Sequence, residues 1–307
     1  MFIVGYPRSG SSLLQALLAT QPGLVSLPET HFFTTLRRVC KHGADLNIRP
    51  DSLPDVIEAI NAATGISLGL EHRSMLERGC ADGRLTAKLL FEVLVEHLLQ
   101  RSTGDGYWEQ RWIEKTPGHV FHMYDIAELY PAAQFVAIVR HPAAATASRR
   151  DNLPGESCFS LDELACRWCK TCRVIDNFAH AVPERLRLVR YEDLVADHEQ
   201  IVKQLCGFLR VAFDSEALTR YPLTAEALAY PWEVWKAGIK DPRIRDANAD
   251  KLRNIRLFDL LRVQSIAGWQ MRDMGYEPTR RELQRLYNLW RRICRCAEKS
   301  SRKCTLY

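Results

Sequence analysis

The sequence predicts an α/β fold, a central parallel sheet flanked by helices, from three observations. Phe2, Ile3 and Val4 form a short apolar run that reads as a buried strand, and Ser12 to Thr20 carries Leu13, Leu14, Leu17 and Leu18 at helical spacing. Gln134-Phe135-Val136-Ala137-Ile138-Val139 is a continuous apolar run of the kind covered on both faces in a parallel sheet. Further short apolar runs, at residues 25–27, 112–116 and 186–190, alternate with helical stretches, as strands joined by crossover helices do.

The turn between the first strand and its helix, Gly5-Tyr6-Pro7-Arg8-Ser9-Gly10-Ser11-Ser12, reads as a phosphate cradle, which makes the sheet P-loop-type. Glycines at both ends let the backbone bend tightly and approach a ligand, and the free amides at the helix start favour an anion. The nucleoside-triphosphate pattern G-x-x-x-x-G-K-[ST] would place lysine at position 11, where Ser11 stands. Arg8 offers a cation inside the loop instead, and Ser9, Ser11 and Ser12 add hydroxyls. Such a set suits one phosphate or sulfate group without a tightly held magnesium, and no metal is expected.

With 307 residues, 47% of them hydrophobic, the chain can bury a full core. No stretch approaches the roughly eighteen continuous apolar residues of a membrane span, and Met1 leads straight into the first strand, so the sequence reads as a soluble, cytoplasmic chain. The ten cysteines are read as reduced thiols, because the chain is neither small nor visibly secreted. Cys166, Cys169 and Cys172 recur every third residue without a fourth ligand, and are read as small apolar residues on a buried helix face. Nine Lys or Arg against two Glu between Arg280 and Lys303 give a local +7 within a formal net charge of +5, so the remainder carries −2. The basic excess is a C-terminal property.

In chain order, Val25 to Leu27 form a second strand ending at Pro28-Glu29-Thr30, with Thr30 a cap for a helix from His31. Glu29 is then either a solvated carboxylate near a helix start or a general base at a strand's carboxyl end, where α/β sites gather. Residues 36–106 read as a mostly helical insertion broken by Pro and Gly. Trp112 to Thr116 form a strand stopped by Pro117, which delivers Lys115 to the strand's carboxyl end as a surface cation or a positioned one. His119 and His122, on the helix that follows, are read as structural. The strand 134–139 ends in Arg140-His141-Pro142, and Ser148 follows two helical turns after Arg140, so both can converge on one anion. A long helix from Ser160 to Ala179, a strand Leu186–Arg190, Tyr191-Glu192-Asp193-Leu194 and a helix from about Asp197 to Leu209 come next. Pro231 to Asp250 reads as a loop and Leu252 to Met274 as a helix, before Gly275-Tyr276-Glu277-Pro278. Beyond it, Leu283, Leu286, Trp290 and Ile293 mark the apolar stripe of a basic amphipathic helix.

Taken together, Phe-Ile-Val-Gly-Tyr-Pro-Arg-Ser-Gly-Ser-Ser-Leu-Leu, the W-x-E-K-T-P-x-H run, the strand-R-x-P-helix-S pattern, Y-E-D-L and the G-Y-x-P ending resemble sulfotransferases that use 3'-phosphoadenosine 5'-phosphosulfate (PAPS). The branch resembled is that of tyrosylprotein sulfotransferases and their bacterial relatives, and the motifs span residues 1–278. The resemblance implies that Arg8, Ser9, Gly10, Ser11 and Ser12 hold the 5'-phosphosulfate, that Arg140 and Ser148 hold the 3'-phosphate, and that Tyr191 lies near the nucleotide. It also implies that Lys251 or Arg253 contacts PAPS. Glu29 matches the base of that branch, with His31 its competitor, and Lys115 and Arg8 would steady the departing phosphate oxygens. No metal enters this scheme, and 3',5'-ADP is the product.

The acceptor is a hydroxyl-bearing molecule, with a carbohydrate, lipid or small metabolite favoured over protein tyrosine, and its contacts are expected in the 36–106 insertion. Residues 279–307 form a separate basic tail, whose apolar stripe suits the body of the protein, a second subunit in a homodimer, or an anionic membrane surface through 279–303. A P-loop nucleotide kinase and a non-catalytic nucleotide-binding or membrane-associated protein are the rival readings. No aromatic stacking motif accompanies the charges, so nucleic acid is not an expected partner.

Overall fold

The structure, a computed structural model, describes residues 1–39, 48, 52–65, 74, 76, 79, 86–103, 111–153, 155, 158–229, 241 and 243–304. Five strands, β1 (Phe2–Gly5), β2 (Leu24–Ser26), β3 (Arg111–Lys115), β4 (Phe135–Val139) and β5 (Leu186–Arg190), form one sheet in the order β2-β3-β1-β4-β5. Every neighbouring pair is parallel, with Phe2 opposite both Glu114 and Phe135. One edge of the sheet therefore collects the carboxyl end of every strand.

The chain divides into two compact units, Met1–Val139 with Val174–Arg245, and Arg140–Arg173 with Asp246–Tyr307. The first holds the sheet together with α1 (Ser11–Leu18), α2 (Phe32–Val39), α3 (Leu53–Thr64), α4 (Ala87–Thr103) and α5 (Met123–Leu129). The second opens with α6 (Pro142–Asn152) and most of α7 (Leu161–Ala181), whose last turns return to the first unit. The first unit continues with α8 (Tyr191–Ala196), α9 (His198–Leu209) and α10 (Tyr221–Ala227). The second closes with α11 (Ala247–Asn254), α12 (Leu257–Asp273) and α13 (Arg281–Cys304).

Strand alternation gives the sheet two different cores. Phe2 points into an aromatic cluster, its ring centroid 5.4 Å from Trp112, 5.7 Å from Phe135 and 6.1 Å from Phe91 of α4. Ile3 faces the other way, into an aliphatic core with Leu14 and Leu17 of α1 and Leu205 and Leu209 of α9. Gly5 closes β1 with φ at +151°, and a Cβ there would lie 2.3 Å from Ile138 O, so only glycine lets β1 and β4 stay in register at the start of the loop.

The strands lie where the apolar runs place them, and three helical expectations change. Pro117–His122 is a 3-10 helix that precedes α5, so His119 and His122 sit on a tighter turn than expected. The single helix expected over 252–274 is two, α11 and α12, parted at Ile255 and Arg256, whose backbone is extended. In addition, α11 starts inside the stretch read as a loop, where the Asp246 side chain accepts from Asn248 N at 2.8 Å. The rest of that loop, 230–240 and 242, lies outside the described residues, as do Cys40, Cys80 and much of the 36–106 insertion. Cys169 and Cys172 are buried as expected on α7, but Cys166 is exposed.

The second unit packs α6, α7 and α12 around Ala143, Leu161, Leu260 and Val263. Against α12, α13 turns a polar face: Gln284 Nε2 donates to Leu261 O at 3.0 Å and Arg291 to Ser265 Oγ at 3.0 Å. Of the apolar stripe, Leu283, Leu286 and Trp290 are all exposed, and the Trp290 ring also lies 6.1 Å from Phe258 of α12. Among the described residues no helix is long and apolar enough to cross a membrane.

Phe2→Ala removes a fully buried ring at the centre of the sheet. It should lower stability by about 3–5 kcal/mol, read as a fall in the urea midpoint with little change in the slope of the transition.

Candidate active site

The loop between β1 and α1 is held in a conformation few sequences tolerate. Arg8 lies in the left-handed region at φ 70° and Gly10 at φ 94°. Gly10 occupies the N-cap position, so no side chain caps the first amides of α1. A Cβ at Gly10 would lie 2.5 Å from Tyr191 Cδ2, so the Tyr191 ring packs directly on the loop while its hydroxyl donates to Arg245 O at 3.3 Å. Ser9 is fully buried, and its hydroxyl finds no hydrogen-bond partner among the described residues. A buried hydroxyl of this kind, beside uncapped helix amides, fits an anion whose oxygens would complete it.

Lys115, the last residue of β3, is fully buried. Its ammonium donates to Ser12 Oγ at 3.2 Å and forms a short ion pair with Glu29 Oε1. Glu29 is 13% exposed, and its other oxygen lies 3.6 Å from Nε2 of the half-exposed His31. The strand ends thus bring together a loop hydroxyl, a buried cation and a carboxylate that keeps a path to solvent.

This arrangement rests on a buried network one residue behind it. Glu114 Oε1 accepts from Thr30 Oγ1 at 2.8 Å, Thr116 Oγ1 at 2.6 Å and Thr30 N at 3.3 Å. Its Oε2 lies 3.0 Å from His119 Nδ1, and His119 Nε2 accepts from Phe33 N at 3.3 Å, which makes Nδ1 the protonated nitrogen and the donor to Glu114. Thr116 Oγ1 also accepts from His31 N at 3.2 Å. On the other side of Glu29, the buried Gln15 of α1 donates to Leu27 O at 2.7 Å and Ser26 Oγ at 2.9 Å. The turn carrying Glu29 is therefore tied at Leu27, Thr30 and His31, and His31 holds φ at 50° within it.

In the second unit, Arg140 is 5% exposed and its Nε donates to Asn248 Oδ1 at 2.6 Å. Trp168 Nε1 donates to Arg140 O at 3.1 Å and fixes the backbone there. Ser148 lies buried on α6. Lys251 Nζ pairs with Asp151 at 3.3 Å. Among the described residues no group of three or more His, Cys, Asp or Glu is arranged to hold a metal.

The profile described as "Sulfotransferase family" matches residues 1–215. The chain belongs to the sulfotransferase family. A curated relative, protein-tyrosine sulfotransferase 1 of Danio rerio, is 23% identical over 288 residues, spanning 91% of this chain and 72% of the relative. Among solved structures, the sulfotransferase domain of the Synechococcus PCC 7002 olefin synthase is 25% identical with a TM-score of 0.59, over 90% of this chain and 94% of that domain. The sulfotransferase domain from the curacin biosynthetic pathway has the same fold, with 24% identity and a TM-score of 0.59 over 91% and 98% of the two chains. The protein is thus a sulfotransferase with the parallel, helix-flanked sheet of that family.

In this sulfotransferase the first unit brings Ser12, Glu29 and Lys115 into contact and sets Tyr191 against Gly10, while Arg140, Ser148 and Lys251 belong to the second. Glu114, Thr116, His119, Gln15 and Asn248 were not singled out from sequence as parts of the site. The signal for the first three lay in the W-x-E-K-T-P-x-H run, where only the lysine was read as chemical.

The Glu114 network carries a pH signature. Burial pushes its carboxyl up, but His119 and the hydrogen bonds from Thr116 and Thr30 outweigh it and hold Glu114 below its ordinary value. A carboxylate held lower in the folded than in the unfolded chain adds stability above about pH 4.3, and that stability is lost as pH falls through the folded value. Glu114→Gln should therefore cost about 3 kcal/mol near pH 7, and urea titrations at successively lower pH should show the gap to wild type narrowing below about pH 4.3. A gap that stayed constant would mean that folding leaves the proton affinity of Glu114 unchanged.

Proposed function

We propose that this enzyme moves the sulfuryl group from PAPS to a hydroxyl of its acceptor by in-line attack, with Glu29 as general base and Lys115 and Arg8 stabilising the leaving phosphate. The observation that carries this reading is the buried Lys115 ammonium, in contact with both the loop's Ser12 and Glu29. PAPS supplies the electrophilic sulfur and a phosphate leaving group; the protein supplies position, charge and a place for one proton.

Arg8, Ser9, Gly10, Ser11 and Ser12 bind the phosphosulfate, and Arg140 and Ser148 bind the 3'-phosphate. Tyr191 and Lys251 assist at the nucleotide. The uncapped amides of α1 and the buried Ser9 hydroxyl support the first assignment. The ion pair gives Glu29 a state that depends on the loop. While Lys115 is its partner, the carboxylate is held ionised and weakly basic. An anion in the loop competes for the ammonium and raises the proton affinity of Glu29. The carboxylate then takes the proton of the attacking hydroxyl as the new oxygen–sulfur bond forms and the sulfur–phosphate-oxygen bond breaks, and Lys115 meets the charge left on that oxygen. Glu29 is favoured over His31 because it is the group in contact with Lys115.

For the acceptor we favour a carbohydrate, lipid or small metabolite hydroxyl over protein tyrosine. The likeness to a domain of an olefin synthase supports this choice, while the Danio rerio relative, whose name specifies protein tyrosine, keeps a tyrosine peptide on the acceptor panel.

Glu29→Gln and Lys115→Ala should each lower turnover by roughly a hundredfold or more, about 2.7 kcal/mol of transition-state stabilisation, with 3',5'-ADP binding largely kept. Calorimetric titration supplies the binding arm. Magnesium-independent affinity for 3',5'-ADP over ADP, lost in Arg140→Ala, is expected, whereas a preference for ATP with magnesium would favour a kinase. Near-normal turnover in either variant would remove its assigned role.

A further inference from the structure

Over residues 281–292, helix α13 shows most of its large aliphatic and Trp side chains to solvent. Leu283, Leu286, Leu289 and Trp290 are 40%, 64%, 56% and 51% exposed, whereas Gln284 and Tyr287 are buried. The exposed four recur at steps of three, three and one, which keeps them on one face of the helix. Phe258 of α12, itself 52% exposed, extends this face, its ring 5.3 Å from Tyr287 and 6.1 Å from Trp290. Scattered exposed hydrophobics are ordinary, but a contiguous set rimmed by charge marks a surface that meets something.

The rim is basic. Arg281, Arg285 and Arg292 are exposed, and the helix sequence continues with Arg295, Lys299, Arg302 and Lys303. The second unit carries twenty Lys or Arg against eleven Asp or Glu, a net +9, which leaves the first unit at −4 within the chain total of +5. The positive charge is gathered in the same unit as the apolar face.

We propose that α13, with Phe258 beside it, is a docking surface for an anionic lipid bilayer. Leu283, Leu286, Leu289 and Trp290 would enter the boundary between headgroups and acyl chains while the arginines stay among the headgroups, as basic amphipathic helices lie on membranes. Charge complementarity selects this occupant. A second copy of the chain would bring another strongly basic helix against this one, a juxtaposition that like charges oppose. Nucleic acid would answer the arginines and leave the aliphatic face uncovered.

The test is vesicle flotation of the full chain with phosphatidylcholine vesicles and with vesicles that also contain phosphatidylserine. Two double variants, Leu286→Ser with Trp290→Ser and Arg285→Ala with Arg292→Ala, change exposed side chains only, so circular dichroism should match wild type. Binding is expected to the phosphatidylserine vesicles, weakened by added salt, and lowered roughly tenfold or more in each double variant. Trp290→Phe should remove part of the blue shift in tryptophan emission that vesicles induce. Equal binding to both vesicle types, or double variants that bind like wild type, would overturn the proposal. So would a dimer in sedimentation that the Leu286→Ser, Trp290→Ser variant dissolves without any vesicle binding, or binding to duplex DNA alone.

Discussion

A lysine ammonium with no exposed surface persists only if an opposite charge and hydrogen-bond acceptors stand within reach, and Lys115 sets this condition on everything near it. Its acceptors come from two other elements, Ser12 on the helix that follows β1 and Glu29 on the turn that follows β2. Only a parallel sheet brings these three strand ends to one edge. The order β2-β3-β1 puts β3 between the other two, so its last side chain is the one that can reach both. Strand alternation then gives Glu114 the opposite direction, into the protein, where it anchors Thr30 and His119 instead of entering the site.

That division of labour explains how strained backbone survives here. Arg8 and His31 are both non-glycine residues with positive φ, each costing about 1–3 kcal/mol, and they lie on the two turns that carry the phosphate loop and Glu29. Such turns relax unless their neighbours over-determine them. For His31 the restraint is visible: its amide is held by Thr116, and the residue before it by Glu114. For Arg8 the restraint is the glycine pair, with Gly5 pressed on Ile138 and Gly10 under the Tyr191 ring. Stability supplied by two buried cores is thereby spent on holding a few atoms at the strand ends.

What could be read in the sequence follows from the range of the forces involved. The strands were legible because an apolar run reports burial directly, and Lys115 was legible because Pro117 marks where its strand must stop. The contact between Glu114 and Thr30 spans 84 residues of sequence, and that between Arg140 and Asn248 spans 108, so no local pattern announces either. The start of α11 at Ala247 escapes the sequence for a different reason: the Asp246 cap before it sits in a charged stretch with little apolar periodicity. On α13, Leu283, Leu286 and Trp290 are exposed on one face, as their spacing predicts. Periodicity fixes which residues share a face, but the direction of that face depends on whether Gln284 and Arg291 find partners on α12, a tertiary fact.

In the proposed reaction a single lysine serves both proton transfer and departure of the leaving group, and this coupling has a consequence for the order of events. A carboxylate paired with a buried ammonium is a poor base, so a hydroxyl beside Glu29 gains little from it while the loop holds no anion. Once an anion draws Lys115 toward the loop, the same carboxylate becomes the stronger base at the place where the nucleophile must lose its proton. Base strength and electrophile then arrive together. The partly exposed position of Glu29 keeps this exchange inexpensive, because the carboxylate released from Lys115 still has water at hand and is not left as an unpaired charge in the core.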